Sequence, residues 1–417
     1  MNALLTDFYQ LTMAAGYFEA GKQHDHATFE LFARRLPSVR QHLVVAGLQQ
    51  AVEYLEGLRF RAEEIAWLRS LPQFAKVREE FWAYLRDFRF TGAVFAMPEG
   101  TLAYANEPLL SVRAPLIEAQ LVETFLLATI GFQTMIASAA ARIVEAANGR
   151  SVVEFGTRRA HSPQAGLYAA RAAYIGGCIG TSNTLAGFQF GIPVFGTAAH
   201  SWVLSFADER EAFARLQRLL GDRCVYLIDT HDTLAGARQA AALGRPLWGV
   251  RLDSGDLVTL SREVRQILDQ AGLTDAKIMA TNELDEAKIH AVVAAGAPID
   301  SFGVGTALAT SSDAPSLGMV YKLVEISTGG QRRDVAKHSP EKQTVPGAKQ
   351  VFRYDGLDVI ARADECKPLP GECQALLQPV MMNGERLGDL PMRRMDRFPL
   401  PQPQWTRLSD SLEALGQ

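Results

Sequence analysis

The chain has 417 residues, of which 48% are hydrophobic and 21% are charged. This is ordinary globular composition, with length for about two or three hydrophobic cores, and it excludes an intrinsically disordered protein. Forty-two Lys and Arg residues against 46 Asp and Glu residues give a formal net charge of −4. The chain therefore lacks the basic excess of a protein that binds nucleic acid or an anionic membrane, and any anion-binding site must be local.

The N-terminal sequence predicts a soluble, cytoplasmic protein. MNALLTDFYQLTM lacks the basic segment and the cleavage site of a signal peptide, and no apolar stretch approaches the roughly 20 residues that a membrane-spanning helix needs. The four cysteines are too few and too scattered for a disulfide framework. Cys366 and Cys373 lie close in sequence, but no second pair of ligand spacing accompanies them, so we expect free thiols rather than a zinc site.

Residues 1–145 are predicted to form an N-terminal α+β portion. Amphipathic helical patterns occur in LQQAVEYLEGL and EIAWLRSL, and a turn-rich, β-like portion follows in FTGAVFAMPEGTLAYANEPLLSVRAP. A long helical segment then runs from Ile117 to Ala147. Residues 327–417 are richer in Pro, Gly and charge, and we expect them to complete the same smaller domain.

Residues 146–326 alternate between short β-branched runs and Ala-rich helical patterns. The runs are SVVEF, GIPVF, VYLID, LWGVRLD, KIMAT, IDSFGVG and MVYKLVEI. This alternation predicts parallel pairing, because parallel neighbours require a crossover connection. Polar clusters end nearly every run, namely EFGTRR, GTAAH, DTHDT, RLDSGD, TNE and GVGT. Since the strand ends of a (β/α) barrel converge on one rim, we predict an α/β protein with an irregular (β/α) barrel and a smaller α+β domain.

The first two clusters contain groups suited to a planar, anionic substrate. Arg158 and Arg159 offer forked donors for carboxylate or phosphate, and Phe155 offers an aromatic face, although one arginine pairing with Glu154 would explain the cluster equally well. His200, just past a strand end, can act as acid, base or nucleophile, but a lone histidine is more often structural.

The later clusters suggest a sugar-phosphate pocket. Asp229 and Asp232 can bind Mg²⁺, yet Asp232 is at least as well placed to cap the following helix. Arg251 and Asp253 share one face of a strand, and Gly255 permits a turn that returns Asp256 to the rim.

A glycine turn near the end of the barrel completes this pocket. Gly303 and Gly305 allow backbone N–H groups to face an anion, and Thr306 adds a hydroxyl. If the strands form one barrel, these groups face a common opening together with the earlier clusters.

Several segments in order resemble the nicotinate phosphoribosyltransferase family. They are DFYQLT from Asp7, EFGTRRAHSPQAG from Glu154, GTSNTLAG from Gly180, GTAAHSW from Gly196, GVRLDSGDL from Gly249 and SFGVGTALAT from Ser301. The resemblance implies an enzyme of NAD salvage that joins nicotinate to phosphoribosyl pyrophosphate, with Mg²⁺ and with ATP hydrolysis coupled through a phosphohistidine. It also implies a homodimer whose active sites use residues from both chains.

The resemblance also implies roles for individual residues. His200 corresponds to the phosphorylated histidine, while Phe155 and the partner's Tyr9 enclose the pyridine ring. Substrate contacts at the nicotinate end are expected from Thr197, Arg251, Ser182 and Asn183. Contacts to the phosphoribosyl part are expected from Arg158, Asp253 and Thr306. Phosphate contacts are expected from Gly303, Gly305 and Asp256, and a further one from Arg34 or Arg35. We count His200, Asp253 and Arg251 as catalytic and expect no dedicated metal cluster.

Two alternatives have different substrates or chemistry. The sister transferase for nicotinamide has, as the family suggests, an aspartate near the substrate amide, whereas the GTSNT segment here has no acid. A (β/α)-barrel lyase acting on sugar phosphates commonly needs a lysine at a strand C-terminus, and Lys277 stands at the beginning of its strand. His231 and Ala348 depart from the family pattern, and Ala348 leaves the phosphate contact of its loop open.

Overall fold

The computed structural model describes residues 3–337, 339, 342–395, 400 and 405–415. The chain divides into two compact units. The first contains residues 1–135, 316–393 and 402–417, and the second contains residues 136–315 and 394–401. The sequence predicted boundaries at 145/146 and 326/327. The observed boundaries lie at 135/136 and 315/316. The second lies earlier than predicted because the last strand assigned to the barrel belongs to the sheet of the first unit.

The strands of the described residues are, in chain order, β1 (His26–Ala33), β2 (Leu43–Val44), β3 (Ala93–Ala96), β4 (Leu102–Ala103), β5 (Pro108–Pro115), β6 (Ser151–Glu154), β7 (Gly180–Thr181), β8 (Val225–Leu227), β9 (Gly249–Leu252), β10 (Lys277–Ala280), β11 (Ser301–Val304), β12 (Met319–Thr328), β13 (Gln331–Asp334), β14 (Lys349–Tyr354), β15 (Leu357–Arg362), β16 (Gln374–Ala375), β17 (Gln378–Met382), β18 (Glu385–Arg386) and β19 (Trp405–Leu408).

The α-helices of the same residues are α1 (Phe8–Glu19), α2 (Leu48–Gly57), α3 (Ala62–Arg69), α4 (Glu79–Asp87), α5 (Leu116–Leu121), α6 (Glu123–Ala146), α7 (Pro163–Ile175), α8 (Thr184–Phe190), α9 (His200–Leu204), α10 (Glu209–Leu220), α11 (Thr233–Leu243), α12 (Leu257–Gln270), α13 (Glu286–Ala294), α14 (Thr306–Ala309) and α15 (Asp410–Leu415).

The first unit is built on a seven-stranded sheet in the order β13-β12-β1-β5-β3-β17-β18. Its two longest central strands, β1 and β5, are buried on both faces because each is paired on both sides and covered by other elements. A four-stranded sheet, β16-β14-β15-β19, brings the C-terminal strand β19 alongside β15 in parallel register. One continuous cluster of buried apolar side chains, from Leu11 to Leu412, forms the core of this unit.

The second unit contains a six-stranded, fully parallel sheet in the order β7-β6-β11-β10-β9-β8. Helices separate its strands, so the predicted α/β class is confirmed. Beyond β7 the pairing continues only as a single parallel bridge from Thr181 to Val194, so the predicted GIPVF strand is reduced to one bridge. Closure of the sheet into a barrel stays a prediction.

One predicted strand belongs elsewhere. The run MVYKLVEI forms β12, which pairs antiparallel with β1 in the first unit rather than extending the parallel sheet. The β-branched pattern predicted the strand correctly, but pairing depends on residues almost 300 positions away in sequence, such as Ala27 opposite Ile326.

Helix α6 corrects one expectation about membranes. Its 24 residues contain an 18-residue window with mean hydropathy 1.5, so by length and composition alone it could span a bilayer. Of that window, 61% is buried inside the protein. A buried core helix has the same composition, and the burial identifies α6 as such a helix.

Candidate active site

The carboxyl ends of the parallel strands in the second unit surround a cavity of about 580 Å³, here named the mouth. Most of the predicted site residues line it. They are Phe155, Arg158, Ser182, Thr197, His200, Arg251, Asp253, Gly303, Gly305 and Thr306. Parallel pairing places successive strand ends side by side, and this geometry collects groups that are up to about 150 positions apart in sequence.

Arg251 and Asp253 form an ion pair at the end of β9. Arg251 Nη2 lies 3.0 Å from Asp253 Oδ1, which confirms that the two side chains share one face. Arg251 also donates from Nη1 to Thr197 Oγ1 at 2.6 Å and from Nε to Thr281 Oγ1 at 3.1 Å. Four contacts to three segments hold the guanidinium in one orientation, including a weaker one to the Ala198 carbonyl, next to Thr197.

The Asp253 carboxylate is kept ionised by its neighbours. Partial burial raises the pKa of this carboxyl, but the hydrogen bond from Thr281 and the positive charge of Arg251 outweigh burial, with a smaller contribution from His200. The net pKa lies below the ordinary value for aspartate. The mouth therefore holds a fixed anion next to a fixed cation at neutral pH.

His200, the first residue of α9, is held between two groups. Its Nδ1 lies 3.1 Å from Thr230 Oγ1, and its Nε2 lies 3.6 Å from Asp253 Oδ2. The side chain is 42% exposed, so an incoming group can reach the ring. A histidine ring that is oriented by a contact at one nitrogen and remains partly exposed to solvent is suited to act as base or nucleophile.

Phe155 packs against β11 because Gly303 has no side chain. A Cβ at position 303 would lie 2.6 Å from the Phe155 ring and 2.7 Å from Thr281 Cγ2. The glycine therefore permits the close approach of an aromatic ring to the strand. The sequence predicted a phosphate contact for Gly303, and the structure adds this packing requirement.

Two predicted contact residues serve as helix caps instead. Asn183 is buried, its Oδ1 accepts from Ala186 N at the start of α8, and its Nδ2 donates to Thr157 Oγ1. Asp256 caps α12, accepting from Val258 N and from Thr259 Oγ1. Neither lines the mouth. Both stand between a strand and a helix, where a short polar side chain satisfies the first N–H groups of the helix.

The remaining predicted residues fall in several places. Tyr9 lies on α1 in the first unit and is 48% exposed. Asp232 caps α11, as one interpretation of its cluster predicted. Asp229 accepts from Asp253 N at 2.9 Å and from Ser254 Oγ at 2.6 Å, so it supports the end of β9 from β8. Lys277 is the first residue of β10, away from the mouth, and its Nζ pairs with Asp300.

The prediction gave no site role to seven residues that line the mouth, namely Arg159, Gly196, Ala198, Ala199, Thr281, Asn282 and Glu283. Asn282 and Glu283 both have positive φ, 97° and 46°, a conformation that costs energy for residues other than glycine and is concentrated at functional sites. The signal was present in the sequence, since TNE was one of the polar clusters and Arg159 was half of the arginine pair.

Comparisons with known proteins agree with this geometry. Residues 4–131 match the N-terminal domain of nicotinate phosphoribosyltransferase, and residues 150–353 match the nicotinate phosphoribosyltransferase family. A nicotinate phosphoribosyltransferase of Mycobacterium tuberculosis is 46% identical over 396 residues, covering 93% of this chain and 83% of that protein.

Two solved structures are also similar. The crystal structure of human nicotinic acid phosphoribosyltransferase superposes with a TM-score of 0.83 at 29% identity, covering 99% of each chain. The crystal structure of nicotinate-nucleotide pyrophosphorylase from Pyrococcus furiosus gives a TM-score of 0.77 at 27% identity, covering 94% of this chain and 92% of that one.

Proposed function

This chain belongs to the nicotinate phosphoribosyltransferase family, and from that premise we propose that its mouth joins nicotinate to phosphoribosyl pyrophosphate. The products are nicotinate mononucleotide and pyrophosphate, as in NAD salvage. The observation that carries the proposal is the grouping, in one cavity, of an aromatic ring, the paired Arg251 and Asp253, the rim arginine Arg158 and the glycine turn of residues 303–306. We further propose that the enzyme works in the cytoplasm.

The charge distribution supports transfer of a phosphoribosyl group. Breaking the bond from the anomeric carbon to pyrophosphate builds positive charge on the ribose and negative charge on the leaving group. The fixed Asp253 carboxylate can stabilise the positive charge on the ribose. The exposed guanidinium groups of Arg158 and Arg159 can stabilise the negative charge on the leaving pyrophosphate. The pyridine nitrogen then forms the new bond to the anomeric carbon, and no covalent bond to the enzyme is needed.

The residues present are compatible with Mg²⁺ delivered by the substrate. Asp229 and Asp253 lie on adjacent strand ends, and Asp229 Oδ1 is a buried oxygen without a hydrogen-bond donor. Among the described residues, no cluster of three or more metal-ligating side chains occurs. Magnesium is commonly held by one or two carboxylates together with substrate phosphates, where it would neutralise charge on the leaving pyrophosphate.

We propose that ATP hydrolysis is coupled through phosphorylation of His200. The support is the orientation of the ring between Thr230 and Asp253 and its 42% exposure. The γ-phosphoryl group would pass from ATP to an imidazole nitrogen, releasing ADP. We expect His200→Ala to lose the stimulation by ATP and to retain slow transfer, measured as mononucleotide formed with and without ATP. Unchanged ATP stimulation in the variant would remove His200 from this role.

We also propose a homodimer in which the partner subunit's Tyr9 completes the pyridine site. The second unit exposes Leu185, Phe188 and Val194 close in sequence to the mouth residue Ser182, with Phe188 87% exposed. The first unit exposes Phe8 and Tyr9 at the start of α1. Exposed apolar groups of this kind mark association surfaces.

The dimer is tested by sedimentation and by mixing. Tyr9→Ala and Arg251→Ala should each be inactive alone, and a mixture should regain about a quarter of wild-type activity, because one site of each mixed dimer is intact. An active monomer, or no recovery on mixing, would contradict the shared site.

The substrate is tested by offering three pyridine compounds to the protein separately. The purified protein is incubated with phosphoribosyl pyrophosphate, Mg²⁺ and either nicotinate, nicotinamide or quinolinate, and the mononucleotide is separated by chromatography. We expect product chiefly from nicotinate, because no acid is present in the segment 180–184. Greater turnover of nicotinamide would overturn the substrate assignment.

A further inference from the structure

Glu154 is a fully buried carboxylate at the end of β6 that does not line the mouth. Its Oε1 accepts a short hydrogen bond from the backbone N–H of Gly156, and its Oε2 accepts from Thr181 Oγ1 at 2.5 Å. Burial raises the pKa of this carboxyl, and the two hydrogen bonds and Arg158 offset part of that effect. A buried carboxylate is costly unless its oxygens are satisfied, so this arrangement needs an explanation.

The two hydrogen bonds join the loops that follow neighbouring strands. Gly156 begins the turn that carries Phe155 on one side and Arg158 on the other, and Thr181 ends β7 immediately before Ser182. Phe155, Arg158 and Ser182 all line the mouth.

The same connection continues beyond Thr181. Thr181 Oγ1 accepts from Asn183 N at 2.9 Å, and Asn183 Nδ2 donates to Thr157 Oγ1 at 3.1 Å. The loops after β6 and β7 are therefore closed into a ring of hydrogen bonds with Glu154 at its centre. Such a ring fixes both loops more strongly than either hydrogen bond alone.

We propose that Glu154 is a positioning residue that sets the wall of the mouth by holding the Phe155 and Ser182 loops together. It does not touch the substrate, because it is enclosed by the loops that it joins. The proposal rests on the function proposed above, since that function gives Phe155 and Ser182 their ligand. Asp253, an expected phosphoribosyl contact, is held by Arg251 and Thr281 instead, so the loss of Glu154 should affect the pyridine end, formed by Phe155 and Ser182, most.

Two substitutions separate positioning from charge. Glu154→Ala removes both acceptors. Glu154→Gln keeps one oxygen for Gly156 N–H and offers its amide to Thr181 Oγ1, which can accept as well as donate. We expect Glu154→Ala to raise the KM for nicotinate about tenfold or more. The KM for phosphoribosyl pyrophosphate should rise by a smaller factor, because Arg158 lies on the same turn, and Glu154→Gln should restore most of both losses.

Glu118 in the first unit provides a matched control. It is also buried and also accepts from a backbone N–H and a threonine hydroxyl, those of Thr91. Glu118→Ala should lower the thermal midpoint to a similar extent and leave the KM for nicotinate unchanged. If Glu154→Ala does not fold, Thr181→Val removes the hydrogen bond between the two loops from the other side, and it should raise the KM for nicotinate in the same way.

Backbone amide hydrogen exchange gives a readout that does not depend on turnover. Exchange at Gly156 and Asn183 should accelerate in Glu154→Ala and not in Glu118→Ala. If wild type makes no nicotinate mononucleotide, the proposed function fails, whereas the exchange result still tests Glu154. Unchanged exchange and an unchanged KM in Glu154→Ala would overturn the inference. A Glu154→Gln variant as impaired as Glu154→Ala would also overturn it, because the negative charge would then be what matters.

Discussion

Thr281 is a neutral residue that helps Arg251 to keep Asp253 ionised. The Thr281 hydroxyl donates to Asp253 Oδ1 and accepts from Arg251 Nε, so it joins the anion and the cation of the mouth. Burial raises the pKa of Asp253, and the hydrogen bond from Thr281 is the largest single contribution that lowers it, followed by the charge of Arg251. A residue with no charge of its own therefore contributes to the ionisation of the carboxylate at the mouth.

Replacing Thr281 with valine removes the hydroxyl and preserves the shape of the side chain. Without that hydrogen bond the pKa of Asp253 rises, so the acid limb of the pH dependence of kcat/KM should move to higher pH. The control is Thr259→Val, which removes an equivalent bond to Asp256 outside the mouth. An acid limb that does not move, or that moves equally in the control, would contradict this role for Thr281.

The structure brings His200, Arg251 and Asp253 together at the mouth, as the polar clusters predicted. Arg251 and Asp253 lie at the end of a parallel strand, where neighbouring strand ends meet, and their roles in catalysis stay a prediction. Asn183, from the resemblance, and Asp256, from its turn, were assigned to ligand contacts, but both also precede a helix. A short polar side chain there has a competing role as a cap, and sequence alone does not decide between the two.

The cap of α12 gives a prediction at the scale of one element. Asp256→Ala removes the acceptor for Val258 N and should lower the free energy of unfolding. Asp256→Asn keeps an acceptor oxygen and should be close to wild type in stability. Chemical denaturation measures both, and the KM for phosphoribosyl pyrophosphate should stay within about twofold in each. A large rise in that KM in Asp256→Asn would restore the phosphate contact originally predicted.

The elements themselves were predictable where the pattern is long and local. Helices α7, α11, α12 and α13 lie between the β-branched runs, where the sequence predicted Ala-rich helical patterns, and each is nine residues or longer. Strand β7 was overlooked because it is only Gly180 and Thr181, too short for any period. The long helix predicted from Ile117 is divided into α5 and α6.

At the scale of the whole chain, the C-terminal segment, which the sequence assigned to the smaller domain alone, has structural functions in both units. Arg394 donates to the carbonyls of Gly177 and Cys178 just before β7, and Met395 N donates to Ile175 O. Strand β19 extends the small sheet of the first unit. The contacts of Arg394 and Met395 join residues more than 200 positions apart in sequence, which no local pattern records.

The attachment of β19 depends on a buried pair of carboxyl groups. Glu107 and Asp358 are both fully buried, and Thr406 of β19 donates to Glu107 Oε1 at 3.0 Å. Arg353 pairs with Asp358, its Nη2 lying 2.5 Å from Oδ2. Burial, followed by the adjacent Asp358 charge, raises the pKa of Glu107 to about 8. At neutral pH the folded protein thus holds a proton that the unfolded chain has released.

This proton makes stability depend on pH in a definite direction. Below about pH 4.5 Glu107 is protonated in both states. Above that value the unfolded chain loses the proton first, so its free energy falls relative to the folded protein. The stabilisation declines through neutral pH and is lost as pH rises through about 8, with a slope of at most about 1.4 kcal/mol per pH unit from this group.

Glu107→Gln should flatten that decline, because glutamine has no proton to lose and still offers an acceptor to Thr406. The measurement is the free energy of unfolding from pH 5 to about 9 by chemical denaturation, compared as wild type minus variant so that other titrating groups cancel. Glu365→Gln is the control: its carboxylate also holds the C-terminal segment, through Ser409 and Ser411, but its pKa is lowered, so it should leave the slope above pH 5 intact. If Glu107→Gln retains the wild-type slope, Glu107 is already ionised in the folded protein. The contact of Thr406 with Glu107 would then not depend on a proton held by Glu107.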